Sequence, residues 1–143
     1  MFLDLGSLNK AVDSLEQALK VANCASIMDS AGAEHKKVIR AGVIQNFEFT
    51  YELCWKFMQR WLKENQPGQD VDFPRSRNDL FRMAASVGLI ADPQAWFDYG
   101  DARNLTAHTY SEDKAETVFA AAKKFLADAR YFRERLEQRN DRP

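Results

Sequence analysis

The sequence predicts an all-α protein, and three observations support this. Apolar residues recur at intervals of three and four, no segment shows the strict alternation of a β-strand, and helix-capping signals separate the periodic segments. At 143 residues, 45% of them hydrophobic, the chain has the length of one domain and enough apolar side chains for a sizeable core. The simplest architecture is an up-down four-helix bundle with one additional short helix. We assign it to residues 1–137, followed by a polar tail over residues 138–143.

The first predicted helix runs from Ser7 to Asp29 and is followed by a short connection from Ser30 to Ala33. Its apolar stripe recurs at helical spacing and consists of Leu8, Val12, Leu15, Leu19 and Ala22.

The second predicted helix, from Glu34 to Asn65, is the longest, and its apolar arc is wider than the stripe of about 100° that a surface helix needs. Two explanations stay open, namely a central helix with neighbours on two sides and an interface with a second copy of the chain. Glu48 and Glu52 are interpreted as part of a solvated face, with Glu52 and Lys56 forming an ion pair one turn apart.

Local signals mark the remaining elements. Residues 66–68 (Gln-Pro-Gly) are expected to end the second helix, and a loop to Arg75 follows. Ser76 is the predicted N-cap of a short third helix that ends at Gly88. Asp92 and Pro93 begin the fourth helix, and Ser111 is the predicted N-cap of a fifth helix from Glu112 to Glu137.

Composition restricts the classes of function. The net charge of −1 and the pI of about 6.1 give no global basic field, so any contact with nucleic acid requires a local patch. Arg75, Arg77 and Arg82, together with Arg103, are the candidates for a phosphate-binding surface; an ordinary solvated face is the alternative. We find neither a membrane span of about 18 apolar residues nor a secretory signal. Cys24 and Cys54 are predicted to be reduced thiols, which suits a cytoplasmic protein.

Residues 98–110 concentrate the side chains that can carry chemistry, with Arg103, Asn104, His108 and Tyr110 within eight residues. On one continuous helix, the five-residue spacing of Arg103 and His108 puts them about 140° apart, so they would not share a face. Either the helix ends between them or the two groups meet across a second copy of the chain. We predict Arg103 in the last turns of the fourth helix and His108 to Tyr110 at its end or in the connector.

The residue types in this motif favour chemistry on a phosphate ester. Histidine exchanges a proton near neutral pH, and arginine clamps a phosphate with a planar fork of donors. From Arg103 to Tyr110 the motif contains no paired carboxylates and no Cys/His cluster that would indicate a metal. On spacing alone, the alternative stays open that His108 caps a helix end or is solvated and that Arg103 is a surface charge.

Four parts of the chain resemble a known family. The run QNFEFTYELCWK at 45–56 resembles the second-helix signature of nucleotidyltransferase substrate-binding proteins. The same holds for Gly88-Leu89-Ile90, for Trp96 and for the motif Arg103-Asn104-x-Thr-x-His108-Thr-Tyr110. These bundles belong to the HEPN superfamily and are the toxin halves of type II/VII-like HEPN–MNT toxin–antitoxin pairs, whose partner is a minimal nucleotidyltransferase. The resemblance covers residues from about 5 to 135.

The resemblance implies a HEPN-like homodimer that cleaves RNA without a metal or other cofactor, at a cleft lined by the motifs of both subunits. His108 would be the general acid/base, Arg103 would bind the scissile phosphate, and Asn104 would orient the site. The partner nucleotidyltransferase would transfer AMP from ATP to Tyr110 and so silence the toxin; the alternative for Tyr110 is packing on Trp96 or Phe97. Two other functions stay open: a non-catalytic subunit that helps to shape the substrate site of a nucleotidyltransferase, and a small-ligand-binding bundle.

Overall fold

The computed structural model describes residues 3–65 and 74–140. Within these ranges it contains six α-helices, one 3₁₀ helix and no β-strand. The elements are α1 (Gly6–Ala22), α2 (Ala25–Ser30), α3 (Ala33–Asn65), α4 (Arg77–Ser86), α5 (Pro93–Leu105), the 3₁₀ helix Thr106–His108 and α6 (Glu112–Arg139). Helices α1, α3, α5 and α6 form the up-down bundle, and the short α4 packs against α3 and α5. The predicted all-α bundle is therefore confirmed.

Helix α3 lies at the centre of the bundle, where it contacts α1, α4, α5 and α6. Its buried side chains are Val43, Ile44, Phe47, Thr50, Tyr51, Cys54, Phe57, Met58 and Leu62. Neighbours on several sides account for the wide apolar arc. Two large apolar side chains of α3 stay exposed, Val38 near its start and Phe49 within the apolar arc, with 59% of Phe49 exposed. An interface with a second copy of the chain stays a prediction.

Aromatic rings fill the core between α3, α5 and α6. The ring of Phe125 on α6 packs edge-on against Phe47 at 5.2 Å, Trp96 at 5.4 Å and Tyr99 at 5.1 Å between centroids. Edge-to-face pairs of this kind contribute about 0.5–1.5 kcal/mol each beyond the burial of their area. These contacts anchor α5 to both neighbouring helices in the turns that lead to Arg103.

The predicted first helix is wrong in length, because the chain forms two helices there. Helix α1 ends at Ala22, Cys24 has an extended backbone with φ −81° and ψ 107°, and α2 begins at Ala25. None of the residues of α2 is buried. The apolar stripe ends at the polar Asn23, so no packing holds the chain in helical register beyond it.

The capping predictions for α4 and α5 are confirmed. The Ser76 hydroxyl accepts the Asp79 N–H at 3.1 Å, and the Asp92 carboxylate accepts the Gln94 N–H at 3.0 Å. Ser111 occupies the N-cap of α6, as predicted, although its side chain makes no capping hydrogen bond. The predicted helix stop at 66–68 lies outside the described residues.

Helix α4 ends in a Schellman turn, as its glycine predicts. Gly88 has φ +81°, a backbone conformation that favours glycine, and the Leu89 N–H donates to the Ala84 carbonyl at 2.9 Å. Two arginines of α6 cover this helix end. Arg135 Nε donates to the Gly88 carbonyl at 3.0 Å, and Arg139 donates to the Val87 carbonyl.

Helix α6 continues two residues beyond its predicted end at Glu137. The Asn140 side chain accepts the Leu3 N–H at 2.8 Å and donates to the Leu3 carbonyl at 2.9 Å. Arg139 and Asn140, which the sequence assigns to a polar tail, therefore contact the bundle, while residues 141–143 lie outside the described part. No helix among the described residues has both the length and the apolar character needed to cross a membrane.

Candidate active site

The Arg-His motif lies across the C-terminal end of α5. Arg103 is in the last turn of α5, His108 ends the 3₁₀ helix, and Tyr110 lies in the connection to α6. The prediction that the helix ends between Arg103 and His108 is confirmed. Thr106 contributes to this ending, because its hydroxyl donates to the Arg103 carbonyl at 2.8 Å and so competes with the continuing helical hydrogen bonds.

The Arg103 guanidinium is held from two directions. Its Nε donates to Glu52 Oε1 at 3.0 Å, and its Nη1 donates to the Thr106 hydroxyl at 3.1 Å. Glu48 Oε1 lies 3.7 Å from Nη2. The side chain is 29% exposed, so it is fixed by α3 and by its own helix end while part of the fork of donors stays accessible.

Glu48 and Glu52 belong to this site, and their interpretation as a solvated face was wrong. Glu52 uses one carboxylate oxygen for Arg103 and the other for Trp55, whose Nε1 donates to Oε2 at 3.0 Å. Lys56, the expected partner of Glu52, has its ammonium 5.8 Å from the centre of the Trp55 ring. The polar stripe of α3 faces the end of α5, which the sequence of α3 alone does not reveal. Two carboxylates one turn apart within the run 45–56 were the available signal.

His108, Asn104 and Tyr110 are all exposed to solvent. The rings of His108 and Tyr110 lie edge-on with centroids 6.1 Å apart, and 85% of Tyr110 is exposed. The alternative that Tyr110 packs on Trp96 or Phe97 is therefore wrong. The structure thus places Arg103 with two carboxylates and His108 with Tyr110, both at the same helix end.

The arginines predicted to bind phosphate have different surroundings. The Arg77 guanidinium lies over the Trp55 ring, 4.5 Å from its centre. Since Trp55 also donates to Glu52, Arg77 is connected through these two residues to Arg103. Arg82 is paired with Asp79 at 3.0 Å and lies over the Phe97 ring. Arg75 is exposed, just before the Ser76 cap. A phosphate-binding role for the three stays a prediction.

A groove of about 400 Å³ opens beside Tyr110, between α3 and the start of α6. Its lining residues are Lys37, Arg40, Ala41, Ile44, Gln45, Glu48, Thr109, Tyr110, Glu112 and Ala115. Glu48 also approaches Arg103, so the groove adjoins the site of the motif.

The cysteines and the metal-binding residue types add no further site. Cys24 and Cys54 are both free thiols, and burial raises the pKa of Cys54. Among residues 3–65 and 74–140, no group of three or more His, Cys, Asp or Glu side chains is placed to hold a metal ion.

Fold and motif together define a HEPN-like helical domain, in which an arginine and a histidine flank the end of one bundle helix. Comparison with known proteins then gives the family: residues 3–138 match the family described as nucleotidyltransferase substrate binding protein like, to which this chain belongs. The predicted family resemblance is confirmed.

Both a curated protein and a solved structure from Haemophilus influenzae are similar over nearly their whole length. The protein named "Probable ribonuclease HepT" is 37% identical over 138 residues, which cover 96% of this chain and 94% of that protein. The solved structure of HI0074, described as the substrate-binding domain of a nucleotidyltransferase, has a TM-score of 0.89 and 36% identity, covering 94% of this chain and 100% of that one. A crystal structure from Thermus thermophilus has a TM-score of 0.67 and 27% identity, covering 88% of this chain and 98% of that one.

Proposed function

We propose that this protein is a ribonuclease toxin that cleaves RNA with Arg103 and His108, without a metal, and that a minimal nucleotidyltransferase silences it by transferring AMP to Tyr110. The observation that supports this best is an arginine fixed by Glu52 and Thr106 beside an exposed histidine at one helix end. The identity of 37% to a protein named as a probable ribonuclease supports RNA cleavage as the activity.

In the proposed reaction the ribose 2′-oxygen attacks the adjacent phosphorus, and the bond from phosphorus to the 5′-oxygen breaks. The products are a 2′,3′-cyclic phosphate and a free 5′-hydroxyl. His108 takes the proton from the 2′-hydroxyl or supplies the proton to the leaving oxygen. Arg103 binds the non-bridging oxygens and stabilises the negative charge that develops on them. Asn104, exposed on the same helix end, orients the substrate.

Both proton transfers are served when two copies of the chain bring their motifs to one cleft, with one His108 as base and the other as acid. The exposed Phe49 ring is the feature of α3 that suits such a homodimer. It lies beside Glu48 and Glu52, which line a second groove on that face. Burial of an exposed aromatic ring is a common contribution to an interface.

The proposed silencing uses the accessibility of Tyr110. Its oxygen attacks the α-phosphorus of ATP, pyrophosphate leaves, and the phenolic proton passes to a base of the nucleotidyltransferase. The product places a charged phosphodiester two residues from His108. There it competes with RNA for space and for the positive charge of Arg103.

The second candidate function is a non-catalytic partner subunit of a minimal nucleotidyltransferase. The description of the family and of the HI0074 structure favours it. Under this hypothesis the motif is a docking surface, and the isolated protein cleaves no RNA.

The test is the intact mass of the protein expressed with and without its nucleotidyltransferase, followed by RNA cleavage by each form. We expect added mass in units of AMP, cleavage by the unmodified form alone, and no cleavage by His108→Ala. His35→Ala is the matched control, because His35 is the only other histidine and is exposed on α3. Unchanged cleavage by His108→Ala would refute the proposed catalysis. Absence of both added mass and cleavage would favour the partner-subunit function.

A further inference from the structure

The groove beside Tyr110 combines a charged end, an apolar floor and an exposed aromatic wall. Ile44 and Ala115 are buried at the floor, and the Tyr110 ring stands at the rim. The groove volume of about 400 Å³ lies towards the small end of the range of about 300–1,000 Å³ that is typical of small-molecule sites.

Arg40 lines one side of the groove and makes three hydrogen bonds to carboxylates there. Its Nη1 donates to Glu112 at 2.8 Å and to Glu116 at 2.7 Å, and its Nη2 donates to Glu112 at 3.0 Å. This network joins α3 to the first turns of α6 and fixes the width of the groove. The two carboxylates neutralise Arg40, so it has little charge left for a ligand.

Lys37 differs from Arg40 because it is exposed and makes no direct ion pair with the described residues. The pKa of Glu112 is lowered first by the hydrogen bond from Arg40 and also by the charge of Lys37, which therefore acts on this groove. Lys37 lines the groove from near the N-terminus of α3. An exposed ammonium that no carboxylate holds directly, beside an apolar slot, suits a phosphate group attached to a flat, hydrophobic body. Gln45 and Glu48, on the α3 side of the groove, offer oxygen acceptors for amino groups on that body.

We propose that this groove binds a single nucleotide, with the base against Tyr110 and the apolar floor and the phosphate at Lys37. Bases with an exocyclic amino group donate to Gln45 or Glu48, so adenine is favoured over uracil. The RNA nucleotide next to the scissile phosphate supplies such a ligand. The proposal rests on the proposed function and deepens it, because AMP bonded to Tyr110 at the rim would block the entry of that nucleotide.

The RNA arm of the test measures the affinity of dye-labelled oligoadenylate and oligouridylate RNA for the full chain carrying His108→Ala, which separates binding from cleavage. Stacking of one base contributes about 1–3 kcal/mol, so we expect Tyr110→Leu to weaken oligoadenylate binding by about tenfold or more. Tyr110→Phe keeps the ring and should bind like the parent. Lys37→Ala should weaken binding severalfold, whereas Lys10→Ala, an exposed lysine on α1, should not.

The AMP arm uses two further measurements. Calorimetric titration of the unmodified wild-type protein with free AMP should give binding that Lys37→Ala weakens and Lys10→Ala leaves unchanged. Modified protein should bind no RNA, because AMP on Tyr110 stands at the rim through which the nucleotide enters.

The outcomes separate the two proposals. If the parent binds RNA but Tyr110→Leu and Lys37→Ala bind it equally well, the groove proposal is wrong while the ribonuclease proposal stands. If neither RNA binding nor cleavage is found, the ribonuclease proposal is wrong, and AMP binding that depends on Lys37 would still support the groove. Absence of RNA binding and of AMP binding would refute both.

Discussion

Replacing Glu52 by Gln tests whether the carboxylate on α3 positions the catalytic arginine. The substitution keeps the size of the side chain and one oxygen that can accept from Arg103 Nε. It removes the charge, and it faces the Trp55 Nε1 donor with an amide NH₂ group, which cannot accept a hydrogen bond. The variant therefore loses the ion pair and one of its two hydrogen bonds.

The magnitude follows from burial and geometry. A hydrogen bond to a charged group contributes about 1.5–3 kcal/mol, whereas an exposed ion pair contributes about 0.2–1 kcal/mol. Arg103 and Glu52 are 29% and 26% exposed, so solvent screens the pair in part and we expect a loss of about 1 kcal/mol. For a domain of this size that corresponds to a decrease in Tm of about 3–5 °C. The guanidinium keeps its hydrogen bonds to the amide oxygen at position 52 and to Thr106 but loses the charge that holds it, so kcat should fall up to about tenfold. The KM for RNA should be unchanged or lower, because a competing negative charge is gone.

Thermal unfolding and single-turnover RNA cleavage measure these two effects. Glu134→Gln is the control, because Glu134 is exposed on α6 and makes no ion pair with the described residues. Glu48→Gln should have a smaller effect than Glu52→Gln, since its oxygen lies 3.7 Å from the guanidinium and not 3.0 Å. Wild-type kcat in Glu52→Gln would refute the positioning role, whatever the change in Tm.

Three further predictions concern the scaffold. Phe125→Ala should lower the free energy of unfolding by about 3–5 kcal/mol in urea titrations, because Phe125 is fully buried among aromatic rings. Phe119→Ala, at a half-buried position of α6, is the control and should have a clearly smaller effect. Burial and the hydrogen bond to Asp128 raise the pKa of Tyr99, so the stability that this residue contributes is present below about pH 10 and is lost as the pH rises further. The difference in urea midpoint between wild type and Tyr99→Phe should therefore shrink between about pH 9 and 11. A constant difference would contradict this reasoning. Gly88→Ala should lower the free energy of unfolding by about 1–2 kcal/mol, because φ is +81° there and a Cβ would lie 2.7 Å from Arg139 Nη2; a neutral effect in urea titrations would count against it.

Local signals predicted the parts of the fold that depend on local physics. Ser76 and Asp92 cap their helices because capping needs only the next few residues. Helix geometry left two alternatives for Arg103 and His108, and the predicted N-cap at Ser111 favoured an end of α5 between them. The break at Asn23 was missed because the predicted helix was continued beyond the last residue of its apolar stripe, whereas none of the residues of α2 is buried.

The parts that were missed depend on tertiary placement. Glu52 and Arg103 are separated by 51 residues, and only the packing of α3 against α5 brings them together. The role of Arg103 as a phosphate-binding candidate was predicted from its residue type. The carboxylates of Glu48 and Glu52, which hold its guanidinium, were interpreted as part of a solvated face. A charged residue on a polar helix stripe has the same local pattern whether it faces water or a partner on another helix.

The hydrogen bonds between Leu3 and Asn140 bring the start of the first helix and the end of the last helix side by side, although these residues are 137 positions apart. A short linker could therefore join residue 140 to residue 3 without moving either helix. New chain ends could then be opened at Asn23 and Cys24, where the helix is already interrupted and the following α2 contributes no buried residue. Such a circular permutant would begin at α2 and finish with α1, while the segment from α3 to α6 that carries the motif remains uncut. The order in which the helices are joined is thus separable from the architecture that they form.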